Sequence, residues 1–382
     1  MPDKPASYPA NKLLGLELLR FAAALSVLIW HYQHFALVAD RPLDSVRDRL
    51  PLSGLLYPFY HAGEHGVWVF WCISGFIFFW RYRDSIADRS IDGRSFFVLR
   101  MSRLYPLHIV TLLLVAGLQA IYFHLNGYFF VYQDNDLRHF LLQIFMASNW
   151  GLENGNSFDG PVWSISVEVL VYIMFFLTLR FLTRSALLNL VVILACLHMR
   201  GQVFVCLAFF YAGGLAAIAR RALAPARVKV AVERAAWLAI VAGPFSIWIL
   251  TSRQFELSVD MLFLVYTPIV LFCFSRDIAM SAGTRKLVEA AGNMTYSSYL
   301  LHFPIQLMIA LGFALFGAPV PYYDTTFFVV FIASTMLASW LTYRWFEAPA
   351  QNFIRSRMLQ PRVSSAKRGF AGTGQALPRA AD

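Results

Sequence analysis

The chain alternates long apolar runs with short clusters of arginine and lysine. A bilayer core is about 30 Å thick and a helix rises about 1.5 Å per residue, so a span needs about 20 mainly apolar residues. Runs of this kind fall at 13–38, 62–80, 104–125, 161–179, 186–198, 202–219, 235–251, 257–274, 290–315 and 325–346, which predicts ten transmembrane helices and an all-α fold. A further run at 139–149 is short and passes into the Gly- and Asn-rich GLENGNSFDG. A re-entrant or interfacial helix is expected there.

The basic residues orient these spans. With the N-terminus inside, 26 of the 32 Lys and Arg side chains fall in inner segments and six in outer ones. Such a bias places both termini in the cytoplasm. Had 139–149 crossed, every later loop would invert and the bias would vanish. The first run, Leu13 to about Val38, is longer than the ~7–15 residues of a signal-peptide core, so a retained span is expected. The expected organisation is a membrane unit over 1–355 followed by a polar cytoplasmic tail, 356–382, without fixed structure.

Composition agrees: 58% of residues are hydrophobic, only 14% are charged, and the mean hydropathy is +0.56. These values exclude a soluble enzyme, a disordered chain and a disulfide scaffold. The net charge of +10 would suit nucleic acid, but the charges flank spans, so the expected partner is the bilayer and not a nucleic acid. Cys72, Cys196, Cys206 and Cys273 all lie in apolar runs without CxxC spacing, so neither zinc nor a structural disulfide is expected.

Polar side chains inside spans are costly and mark either function or interhelical pairing. In the first span Arg20 and His31 are eleven residues apart, hence on nearly the same helix face and roughly 16 Å apart along the axis. The pair could hold the anionic head and the reactive end of one long ligand, or Arg20 could snorkel and His31 bond a neighbouring helix. In GVWVFWCISGF, Gly66, Ser74 and Gly75 permit close helix packing. RMSRLYP puts Arg100 and Arg103 on one face just before a span. Two guanidiniums there suit a phosphate, or are ordinary inner-loop charge. PVWSISVEVLVY buries Glu168, which must find a cation, find donors or keep a proton; Arg20 and His31 are both available partners. AGNMTYSSYLLHFPI sets Tyr299 and His302 in one span, with Pro304 marking a kink. Glu347, at the inner end of the last span, could pair with Arg344. Ser74, Trp163, Tyr299 and His302 stand as additional site or packing residues.

In order along the chain, RF-(nine residues)-H, GVxxFWxxSGF, RxxRLYP, WSxSxE, YSSYLLH and YRxFExP closely resemble the acyltransferase 3 family of integral membrane acyltransferases. The resemblance runs from about residue 11 to about residue 355. It departs from the family at Trp68 and Trp71, where acidic and Phe residues are common, and the soluble domain fused to some relatives is absent from this sequence. The resemblance implies transfer of an acyl group, usually acetyl, from a coenzyme A thioester to a hydroxyl. Acceptors in the family are often sugars of lipopolysaccharide or exopolysaccharide, and the natural setting is a bacterial inner membrane. It also implies that His31 is the catalytic histidine and that Arg20, Arg100 and Arg103 bind acetyl-CoA. On this reading His31 acts as general base or accepts the acyl group itself, with Glu168 orienting its ring. The competing class is a transporter or flippase for an anionic or glycolipid substrate, which would not consume acetyl-CoA.

Overall fold

The computed structural model describes residues 13–37, 46–223, 230–242, 259–276 and 278–359, which are helical with no β-strand among them. The helices are α1 (Leu14–His31), α2 (Ser53–Ala62), α3 (Gly66–Ala87), α4 (Gly93–Asn126), α5 (Leu137–Ile144), α6 (Trp163–Phe181), α7 (Ala186–Cys196), α8 (Gln202–Ala222), α9 (230–242), α10 (Val259–Phe274), α11 (Ala282–Asn293), α12 (Thr295–Leu315), α13 (Thr325–Thr342) and α14 (Ala348–Met358). Among the described residues seven helical segments are long and apolar enough to cross a bilayer, and α7 and α10 are shorter apolar helices at two further predicted positions. The remaining predicted span, 235–251, is helical as far as 242, and the rest of it lies outside the described residues. So does most of the predicted tail, although α14 carries helix into its first residues.

Helix ends agree on sidedness. Arg221 at the end of α8 bonds Asp84 of α3 at 2.8 Å, and Arg184, just after α6, bonds Asp88 at 2.9 Å. All these residues belong to segments that the charge bias assigns to the inside. At the opposite end, the Tyr32 hydroxyl donates to the Tyr322 carbonyl at 2.8 Å, tying the end of the first span to the loop before α13.

One boundary differs from the sequence reading. α4 begins at Gly93, well before the apolar run at 104, because the Asp92 carboxylate accepts from the Ser95 backbone N–H at 2.8 Å and caps it. Arg100 and Arg103 therefore lie on a rigid helix and not on its approach. The segment after α4 does not cross. α5 ends at Ile144, the Gln143 carbonyl accepts from His108 of α4 at 2.7 Å, and Trp150 donates to the Ser166 carbonyl of α6 at 2.9 Å. These bonds hold the segment against α4 and α6 as a tucked-in stretch.

The core lies between α3, α6 and α8, where Phe78, Phe79, Phe175 and Phe210 interlock edge to face. Helices approach closely there because Gly75 backs onto the Phe210 carbonyl and Gly213 onto that of Cys72; a Cβ at either would overlap backbone. On α4 the exposed side chains include Val110, Leu113, Leu114 and Ile121, a stripe suited to lipid.

Candidate active site

The packing leaves a pocket among α1, α3, α4, α6 and α12. One end is cationic: Arg20, Arg100 and Arg103 line it, with Glu168 among them. The walls are apolar and aromatic, including Phe70, Trp71 and Phe78. The pocket also reaches Ser164 and Tyr299.

The arginines differ in how they are held. Arg20 bonds the Glu17 carboxylate at 3.2 Å and the Thr295 hydroxyl at 3.1 Å, so it is anchored to both α1 and α12. Arg100 lies over the rings of Phe78 and Tyr82, 4.2 and 4.7 Å from their centroids. Its Nε is buried without a hydrogen-bond partner. Among the described residues no carboxylate oxygen comes within 4.0 Å of Arg100 or Arg103. Two guanidiniums on one helix face, neither in a salt bridge and with Glu168 the one carboxyl lining the same pocket, favour an anionic ligand.

His31 is not in this group. Its ring packs 4.6 Å from that of His302 and 4.7 Å from that of His34. Its Nδ1 lies 3.0 Å from the Val27 carbonyl. A carbonyl can only accept, so Nδ1 carries the proton and Nε2 keeps its lone pair. His302 does the same, donating Nδ1–H to the Ser298 carbonyl at 3.2 Å. Gln306 joins the two helices: its amide donates to the His31 carbonyl at 2.7 Å, and its oxygen faces His34 Nδ1 at 3.2 Å. The histidine cluster meets the pocket at Tyr299, whose ring centroid is 5.9 Å from that of His302. Tyr299 and His302 thus stand in series between the arginine pocket and His31.

Glu168 belongs to the arginine end. α6 starts at the end of the bundle opposite Arg184 and Arg221, so its sixth residue lies more than a turn into the bundle. It lines the pocket with Arg100, Arg103, Ser74 and Tyr172. The neighbours of His31 are Val27, His34 and His302, so Glu168 does not orient that imidazole. Ser74 bonds the Tyr172 hydroxyl at 3.1 Å and faces the pocket, whereas its neighbour Gly75 serves helix packing. Trp163 packs edge to face on Trp71. Glu347 does not pair with Arg344. A π-turn at Tyr343–Glu347 rolls it inward, where it accepts from the Ser297 hydroxyl at 2.6 Å.

Sequence reasoning did not single out His34, Gln306, Glu17 or Thr295 for this site. Two of them carried a signal: His34 follows His31 by three residues and Gln306 follows His302 by four, which puts each on its partner's helix face. The contacts of Glu17 and Thr295 follow from helix placement. Among the described residues no group of His, Cys, Asp or Glu could hold a metal ion.

Compared with known proteins, residues 13–344 match the family model Acyl_transf_3, an acyltransferase domain. No curated protein and no solved structure matches the chain.

Proposed function

We propose, because the chain belongs to the acyltransferase 3 family, that this membrane acyltransferase moves an acetyl group from cytoplasmic acetyl-CoA to a hydroxyl of a cell-surface or lipid-linked saccharide. The natural setting of that reaction is a bacterial inner membrane. The observation that carries the reading is an arginine pair outside any salt bridge in one pocket, with a histidine whose Nε2 lone pair is free beyond Tyr299 and His302. The nucleotide phosphates bind Arg100 and Arg103, with Arg20 beside them, and the extended pantetheine arm lies along the apolar walls toward His31. Tyr299 must shift for the thioester to reach the histidine.

His31 then serves as general base. Nε2 takes the proton of the attacking hydroxyl, the oxygen attacks the thioester carbonyl, and the carbon–sulfur bond breaks. The departing thiolate takes the proton from imidazolium and leaves as the free thiol of coenzyme A. Charges and protons balance without a metal. Neutral imidazole is required at the start.

The test is to incubate purified protein in nanodiscs with radiolabelled acetyl-CoA and lipid-linked oligosaccharides, beside His31→Ala and Arg100→Ala/Arg103→Ala. Label should pass to the saccharide with wild type and not with the variants. Label retained on His31 would replace the base mechanism by an acyl-histidine. No turnover of any acyl-CoA by folded protein would overturn the proposal in favour of a transporter.

A further inference from the structure

A second polar region lies outside the arginine pocket, where α4, α12 and the chain leading into α6 meet. Four side chains there hold buried hydrogen-bond acceptor atoms without a partner: His108 Nδ1, Gln143 Oε1, both carboxyl oxygens of Asp159, and His302 Nε2. All four residues are at most 1% exposed. The bonds they do make fix these atoms as acceptors. His108 gives its Nε2–H to the Gln143 carbonyl, leaving Nδ1 bare. His302 gives its Nδ1–H to Ser298. The Gln143 amide nitrogen donates to the Ser157 carbonyl at 2.9 Å, which orients its oxygen.

Neighbouring hydroxyls supply few protons. Thr111 has one, shared between the His108 carbonyl at 3.1 Å and the Asp159 carboxyl beside it; Tyr132 faces His34 Nε2 at 3.5 Å, and Tyr299 donates to the Pro161 carbonyl at 2.8 Å. The same contacts connect the group. Gln143 bridges His108 and the Asp159 backbone, and Tyr299 bridges the Asp159–Pro161 turn and His302. A carboxyl in this position keeps its proton, so one of the five atoms turns donor against four acceptors.

Native proteins rarely leave one buried acceptor unpaired, and each unpaired one costs stability. The arginine end shows the opposite imbalance, since its buried orphan, Arg100 Nε, is a donor. A phosphate-bearing ligand answers that end; a ligand rich in O–H groups answers this one. We propose that His108, Gln143, Asp159 and His302 form the docking site for a polyhydroxylated acyl acceptor, which supplies the hydrogen-bond donors that the protein withholds. The assignment rests on the acyl-transfer reading. One acceptor hydroxyl bonds His31 Nε2 and is acylated, while its neighbours bond His302 and Asp159.

Asp159→Asn keeps the side-chain shape and brings two N–H donors into the region. If the acceptors stand open for a ligand, this variant melts a few degrees higher than wild type in the ligand-free state. It also loses at least tenfold in kcat/KM for esterification of methyl glucoside or glycerol, scored by mass spectrometry, while the KM for acetyl-CoA stays within twofold. Gln143→Met removes one acceptor atom together with the bond to the Ser157 carbonyl, so it is scored by esterification alone, which falls in the same way. A lower melting temperature for Asp159→Asn means that the carboxyl serves the fold and overturns the proposal. So does undiminished esterification in both variants, or a wild type that releases thiol from acetyl-CoA but esterifies neither probe. A wild type that releases no thiol at all overturns acyl transfer instead, and the melting comparison still decides whether these atoms are held open.

Discussion

His31 donates its Nδ1–H to the Val27 carbonyl one turn back on its own helix, 3.0 Å away. That bond selects the tautomer without help from any carboxylate, which sets this site apart from a histidine–aspartate pair. His31→Ala should lower acyl transfer by about 10²–10⁴-fold, the usual worth of a general base. Since the ring bonds only main chain, the variant should still insert and fold. Thiol release from acetyl-CoA, with circular dichroism as the folding control, checks both expectations.

Arg100 and Arg103 stand in the pocket without a bonded carboxylate. Replacing either by Gln should raise the KM for acetyl-CoA by about ten- to a hundredfold, the worth of a hydrogen bond to a charged group. Thiol-release kinetics measure this directly. The wild-type KM should also rise with ionic strength, because the phosphate contacts are screened.

Glu168→Gln discriminates between two roles for that carboxyl. Its neighbours are Ser74, Tyr172 and the arginines, so the substitution should alter the KM for acetyl-CoA and leave the pH profile of kcat in place. A shifted pH profile would tie Glu168 to His31 despite their separation.

Ser297 gives its hydroxyl proton to the buried Glu347 carboxylate at 2.6 Å. Ser297→Ala leaves that carboxylate short of a donor and should cost about 1–3 kcal/mol. A thermal melt in nanodiscs reads the loss as a lower transition temperature.

Gly75→Ala drives a methyl into the Phe210 carbonyl, while a Cβ at Gly117 meets nothing. The first substitution should destabilise by about 1–3 kcal/mol or more, and Gly117→Ala should melt like wild type. Equal melting of the two would mean that α3 and α8 separate at no cost.

Much of this architecture was legible because lipid makes span placement a question of run length and Arg/Lys position. The predicted inner segments of α3, α6 and α8 do meet, through Asp84, Asp88, Arg184 and Arg221. The start of α4 was hidden, because a polar first turn held by Asp92 looks like loop in a hydropathy pattern. The depth of Glu168 was hidden too. Its vertical position depends on where α6 starts relative to α1, which is a tertiary quantity. Asp159 drew no notice, since nothing local distinguishes a loop aspartate at a surface from one folded under a tucked-in segment.

The unbroken course of α1 from Leu14 to His31 has one more consequence. Arg20 and His31 sit on a rod that neither stretches nor bends appreciably, so their spacing of roughly 16 Å is set by helical rise alone. In the proposed reaction α1 is a ruler. A thioester on a truncated arm would stop short of the imidazole however firmly its phosphates were gripped, and one on a lengthened arm would overshoot. Discrimination among thioesters would then reside in the backbone of one helix, and the cavity around the acyl group could vary freely between relatives without losing it.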